Sequence, residues 1–229
     1  MDKKLKSEAE NIYLILAGLF IASLVTSNLI FQKFFTLDLF GIYTFELSVG
    51  ILPYPLTFLV TDIISEIYGK KRARKVVLSG LFASLFMLLI IIISSYANAT
   101  DWSPITNTEF DKVFGFTFLA VASSLTAYLL AQLVDVQLFH FWKKLTKGKH
   151  LWLRNNASTM GSQFIDTFTV LLLLCTFGVI KWELFGILLL SGYLFKVIIA
   201  LIDTPIIYFI VYLFKRRFKL KESGDELQF

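Results

Sequence analysis

Cysteine is almost missing from this chain of 229 residues: Cys175 is the single one, so an internal disulfide and a zinc site built on thiolates are both excluded. Histidine is nearly as scarce. His140 and His150 both fall beside a basic stretch, where solvated or interfacial imidazoles are the expectation, so no metal role is assigned to either. Only four prolines interrupt the sequence, and charged residues make up only 17% of it. No Gly-x-x-x-x-Gly-Lys run is present, so the chain carries no nucleotide-binding loop of its own.

Long apolar blocks take the place of the missing charge. The chain is 56% hydrophobic with 24 phenylalanines, and its mean hydropathy is +0.70. Short charged loops separate the blocks, which predicts an all-α polytopic membrane protein, a single bundle of six transmembrane helices over residues 1–229. The spans are expected at about 11–31, 47–68, 76–96, 114–142, 158–180 and 183–214. The first is too long for a signal-peptide core and reads as an uncleaved helix. Residues 32–46 mix charge with aromatics and are expected to form an outer loop, partly re-entrant. Pro53 and Pro55 either start the second helix or break it beside a cavity. The third span, free of charge, is expected to face lipid, and the loop 143–154 is basic.

A net charge of +5 could suggest nucleic acid, but the positive residues bracket the apolar blocks and form no stripe. Of 22 Lys and Arg residues, 18 fall on one side: three before the first span, then five in each of the second loop, the fourth loop and the tail. This asymmetry places both termini in the cytoplasm and the partner of the chain in the bilayer, not in nucleic acid. Asp62 precedes Lys70 and Lys71 by the same spacing as Asp135 precedes Lys143 and Lys144, a faint echo that either a repeat or a shared helix-end design explains.

The chemistry lies in polar groups within the spans. Asp62 and Glu66 are four residues apart, and Gln132–Asp135 and Gln163–Asp166 are each three apart, so each pair leaves one helical face. Asp62 lies about 10 Å inside the basic end of its helix. Lys196 and Asp203, seven apart, also share a face. A charge at mid-bilayer costs about 2.5–3.5 kcal/mol, so these groups should face a bundle interior or a wet cavity. With Asn28, Thr57, Ser162 and Thr167 they offer many acceptors and some donors, a set suited to a flat polar heterocycle with several N–H groups. No dense acid, His or Cys cluster suits a metal ion. A purely structural reading stands beside this one: Lys196 would neutralise Asp203 or Asp166, and Asp62 and Glu66 would pair with Arg72 or Arg154.

Several stretches carry a resemblance: Ser27-Asn28; Pro55-Leu56-Thr57-Phe58-Leu59-Val60-Thr61-Asp62 with Glu66, Tyr68 and Gly69; Gln132 to Asp135; Arg154-Asn155-Asn156-Ala157-Ser158-Thr159; Ser162-Gln163-Phe164-Ile165-Asp166-Thr167; and Lys196 with Asp203-Thr204-Pro205. At these residues the chain resembles the queuosine precursor transporters, within the vitamin uptake transporter group. The resemblance implies import of 7-deazaguanine bases, queuine and its cyano or aminomethyl precursors, across the cytoplasmic inner membrane for queuosine salvage. Asn28, Asp62, Gln132, Asp135, Gln163, Asp166, Lys196 and Asp203 are then candidates for substrate binding. Asp166 or Asp62 would clamp adjacent N–H groups, Gln163 or Gln132 would read the edge, and Asn28 would guard the outer mouth. Glu66 is the candidate for proton coupling. No cofactor is expected. The alternative is a substrate-binding subunit of a vitamin-type carrier that needs a separate ATPase module. Such carriers often show Ala-x-x-x-Ala in the first helix, whereas here Ala17 and Ala22 are five apart, which argues for a chain that works without the module. A homo-oligomer is compatible with either. An intramembrane aspartyl hydrolase would need Gly-x-Gly-Asp at one acid, and none has it, so no enzymatic activity is expected.

Overall fold

The computed structural model describes residues 3–145 and 151–218, apart from a few side chains within those helices. Its helices are α1 (Lys3–Ile30), α2 (Tyr54–Tyr68), α3 (Lys70–Ser95), α4 (Asn107–Phe114), α5 (Thr117–Leu145), α6 (Leu151–Thr176) and α7 (Phe185–Phe218). Six helical stretches are long and apolar enough to cross a membrane: Lys3–Ile30, Val49–Tyr68, Lys71–Ser95, Asn107–Ala131, Thr159–Thr176 and Trp182–Phe218. The chain is a multi-pass membrane protein.

Not everything is helical. Residues expected as an outer loop form an antiparallel hairpin, β1 (Phe34–Leu39) with β2 (Tyr43–Ser48), in which Phe34 faces Ser48 and Leu39 faces Tyr43. Phe34, Phe35, Thr36, Tyr43, Thr44 and Phe45 are strand formers, so local preference favours two strands on either side of Gly41. The second span is correspondingly shorter as a helix: a 3-10 turn at Val49–Ile51 precedes α2, and Pro53 and Pro55 sit at its first turn. They start the helix, where a missing N–H leaves no bond unmade.

Other boundaries shift for local reasons. Gly69, at φ 83 and ψ 159, ends α2, and α3 begins at the next residue. That backbone conformation belongs to glycine almost alone, so the basic run following Gly69 is the first turn of α3 and not a loop. The echo between Asp62–Lys70 and Asp135–Lys143 therefore has no common geometry: Gly69 divides the first pair between two helices, while the second lies within α5. The expected fourth span is preceded by α4, which carries a reciprocal capping box between Thr106 and Glu109. The α6 helix starts at Leu151, inside what composition read as basic loop.

The chain divides into two compact units. Among the described residues the first holds 3–33, 49–97 and 198–218, and the second holds 34–48 and 98–197, so α7 contributes to both. In the first unit Val60, Ile63, Ile64 and Ile67 of α2, at helical spacing, meet Ala9 and Phe20 of α1, Val76 of α3, and Val211 and Phe218 of α7. Gly80 of α3 lets α1 approach closely, since a Cβ there would meet Phe20 at 2.6 Å and Leu24 at 3.0 Å. Lipid is as apolar as leucine, so such tight packing, and not escape from water, is what holds the helices together. The opposite face of α3 exposes Leu78, Phe82, Leu85, Phe86 and Leu89, as a lipid-facing wall requires. In the second unit α5 buries small residues, Ala120, Ser123, Ala127 and Ala131, and α6 places Gly161 against Leu138.

Candidate functional site

In the second unit α6 presents Gln163 and Asp166 from one face, as their spacing requires. The Lys196 ammonium on α7 donates to the Asp166 carboxylate at 2.7 Å. Both side chains are largely withdrawn from the surface, with 10% of Lys196 and 14% of Asp166 exposed. Close approach of the two helices makes this possible: Gly192, one turn before Lys196, lies so near Thr167 that a Cβ there would sit 3.3 Å from the threonine methyl. The sequence left Asp203 and Asp166 as alternatives for Lys196; the ion pair forms with Asp166. The side chains of Gln132, Asp135 and Arg154 lie outside those described.

In the first unit the remaining candidates are arranged differently. Glu66 accepts from Lys215 at 3.0 Å, near the end of α7, with 42% of the glutamate side chain and 22% of the lysine exposed. The expected partners were Arg72 or Arg154; the lysine at the end of α7 takes that place. Arg72 instead stacks over the Tyr13 ring, 4.9 Å from its centroid. Glu8 and Arg217 form a second bridge at 2.7 Å, and the Tyr68 hydroxyl donates to the Ala9 carbonyl at 2.9 Å. Asp62 is exposed and has no hydrogen bond or ion pair among the described residues; it lies near enough to Asp203 for the two carboxylates to repel. Asn28 is buried, beside the Ser27 hydroxyl that donates to the Gly50 carbonyl.

The hydroxyls read as additional ligand donors are otherwise committed. Thr57 donates to the Tyr54 carbonyl at 2.6 Å, Ser162 to that of Thr159 at 3.0 Å and Thr167 to that of Gln163 at 2.9 Å. Each satisfies itself on its own helix, a common resolution in apolar surroundings. Two residues were overlooked. Lys215 belongs to the basic run closing α7, and an acid near a basic helix end could have suggested it. Ser191, fully buried, receives the Glu46 backbone N–H at 3.2 Å and lies 3.2 Å from the Tyr43 hydroxyl. One serine directly after the apolar run Leu188 to Leu190 was its signal.

Among the described residues no group of three metal-ligating side chains converges. The arrangement offers a carboxylate and an ammonium side by side in a span, flanked by an amide. That set can accept two donors and donate to one acceptor on a planar solute.

Residues 48–210 match the family described as "Putative vitamin uptake transporter". The chain is also 31% identical over 195 residues to a "Probable queuosine precursor transporter" of Bacillus subtilis (strain 168), covering 83% of this chain and 82% of that one. The protein belongs to the queuosine precursor transporter family, within the vitamin uptake transporter group. A second relative of the same description, from Haemophilus influenzae (strain ATCC 51907 / DSM 11121 / KW20 / Rd), is 28% identical over 127 residues, 55% of this chain and 51% of its own length. No solved structure matches. The family is one of transporters, and the matched region of this transporter takes in Asp62, Glu66, Gln163, Asp166, Lys196 and Asp203.

Proposed function

We propose that this transporter imports 7-deazaguanine bases, queuine and its cyano or aminomethyl precursors, across the cytoplasmic membrane with both termini inside. The Asp166–Lys196 pair is the single observation that carries the reading. A guanine-like edge presents two adjacent N–H donors next to a carbonyl oxygen. Asp166 can take the donors in a fork while Lys196 turns its ammonium to the carbonyl, so the solute replaces one ion-pair contact with complementary bonds to both partners. Gln163, on the same face, reads the remaining edge. The empty pair keeps both charges satisfied in a low-dielectric setting, where an isolated one would be expensive.

The other candidates take supporting places in this reading. Asn28, Asp62, Gln132, Asp135 and Asp203 are further candidates for contact with the solute, and Glu66 is the carboxylate for proton coupling. Its protonation would release Lys215, so a coupling step would have a physical consequence. The chain works without a separate ATPase module. Support for the orientation comes from the 18 basic residues on one side, and support for the solute from the descriptions of the two relatives.

Uptake of a labelled 7-deazaguanine base tests the proposal, in cells that lack both its synthesis and their own importer. The chain expressed alone should restore queuosine to tRNA. A double variant, Asp166→Leu with Lys196→Met, separates binding from support. Apolar replacement of a buried pair is often neutral for stability, so a folded, membrane-inserted double variant without uptake is expected. If that variant transports normally, the pair is structural and the binding assignment fails. If the folded native chain takes up no such base, the solute assignment fails.

A further inference from the structure

The β1–β2 hairpin does not stand clear of the membrane-spanning helices. Ser191, which receives Glu46 and neighbours Tyr43, lies six residues into α7, about 9 Å along its axis. Phe45 continues the contact one turn further in, its ring 6.4 Å from that of Phe195. At the same level α7 exposes Ile187 and Leu190, and Trp182 is exposed just before the helix starts, where interfacial aromatics collect. The hairpin thus runs beside a section of α7 that lies at bilayer depth.

Its turn carries a contradiction if water surrounds it. Phe40 is 91% exposed and Ile42 is 83% exposed. Phe40 has φ +53 and Gly41 has φ +72, and the Ile42 N–H donates to the Leu39 carbonyl at 2.9 Å, which makes a type I′ turn. The first central position of such a turn favours Asn, Asp or Gly, and an aromatic residue is disfavoured there. The turn is braced independently of this ring: Asp38 accepts the Gly41 N–H at 2.9 Å and lies 3.3 Å from the Thr44 hydroxyl. A bulky ring held in an unfavourable backbone state and almost wholly exposed gains from what lies outside the chain.

We propose that Phe40 and Ile42 form a lipid-contacting anchor, inserted among the acyl chains of the leaflet beside the first turns of α7. Lipid, not a partner protein, is the occupant because the strand that leads out of this turn packs on the section of α7 whose Ile187 and Leu190 are exposed as lipid-facing residues are. Against acyl chains both side chains are at home, while an Asn or Asp preferred by the turn would be misplaced.

The full chain reconstituted in phospholipid vesicles gives the test. Cys175, the sole cysteine, is replaced by alanine, and a nitroxide is attached at Phe40→Cys and separately at Ile42→Cys. Labels at Phe82→Cys, on the lipid-facing side of α3, and at Asp101→Cys, in an exposed loop, provide references. Relaxation by oxygen, enriched in lipid, should exceed relaxation by a water-soluble nickel chelate at positions 40 and 42, as at 82 and opposite to 101. Preferential relaxation by nickel would overturn the proposal by placing the turn in water. Protection from both agents, or broadening between labels, would overturn it by placing protein there, a second copy included. Two labelled positions guard against one substitution that fails to fold.

Discussion

Two ion pairs tie α7 to neighbouring spans, and they differ in surroundings more than in geometry. Asp166–Lys196 closes at 2.7 Å with both side chains largely withdrawn, and Glu66–Lys215 at 3.0 Å with the glutamate nearly half exposed. Coulomb attraction at such similar distances differs little; the dielectric around it differs greatly. A buried pair is hard to break, because its abandoned partner is left charged in an apolar setting. An exposed pair is solvated whether made or broken. The first arrangement is therefore sensitive to what replaces a partner, while the second holds the end of α7 and can open at little cost.

The comparison can be broken by removing one charge at a time. Asp166→Asn and Lys196→Met should each cost about 3–5 kcal/mol of stability in detergent unfolding and lower uptake at least tenfold. A loss no greater than that of an exposed pair would erase the distinction. Gly192→Leu sharpens it from the packing side. Its added side chain must push α6 and α7 apart beside Thr167, at about 1–3 kcal/mol, so uptake should fall with both charges still in place. At Lys215→Met we expect a stability change of no more than about 1 kcal/mol. In Glu66→Gln, uptake should become less dependent on external pH if Glu66 carries the proton, and an unchanged pH profile would remove Glu66 from that role. Smallest is Arg217→Ala, which opens an exposed bridge to Glu8; uptake should stay within measurement error, and any change in stability should vanish in high salt. A tenfold loss there would mean that docking the end of α7 matters as much as the buried pair.

Much of this fold was legible because membrane insertion imposes a coarse rule, a run of apolar residues long enough to cross. Six spans followed from it. Their ends did not, because Gly69 and the strand-forming run from Phe34 act over a few residues, below the resolution of an average over twenty. The same limit applies to the site. Spacing along α6 put Gln163 and Asp166 on one face and spacing along α7 did the same for Lys196 and Asp203. Neither says which face of one helix meets which face of the next. Gly192 decides that, by letting α7 approach Thr167, and a lone glycine in an apolar run looks the same whether it packs a helix or faces lipid. The hydroxyls show a related limit: composition counts a donor without showing that the carbonyl three or four residues back has already taken it, which leaves the oxygen as an acceptor.

Those self-satisfied hydroxyls have a consequence for how related sequences would drift. Thr57, Thr167 and Thr204 each close a loop onto their own helix, with Thr204 donating to Ala200 at 2.8 Å. Among the described residues nothing outside the helix bonds to the oxygen, so valine of nearly the same shape could stand at these positions with little penalty. Over many generations they should wander among small and β-branched residues, while a charge at 166 would be held in place by its partner at 196. Variation among descendants, read with that expectation, would separate polar atoms that face the solute from polar atoms that only decorate a helix.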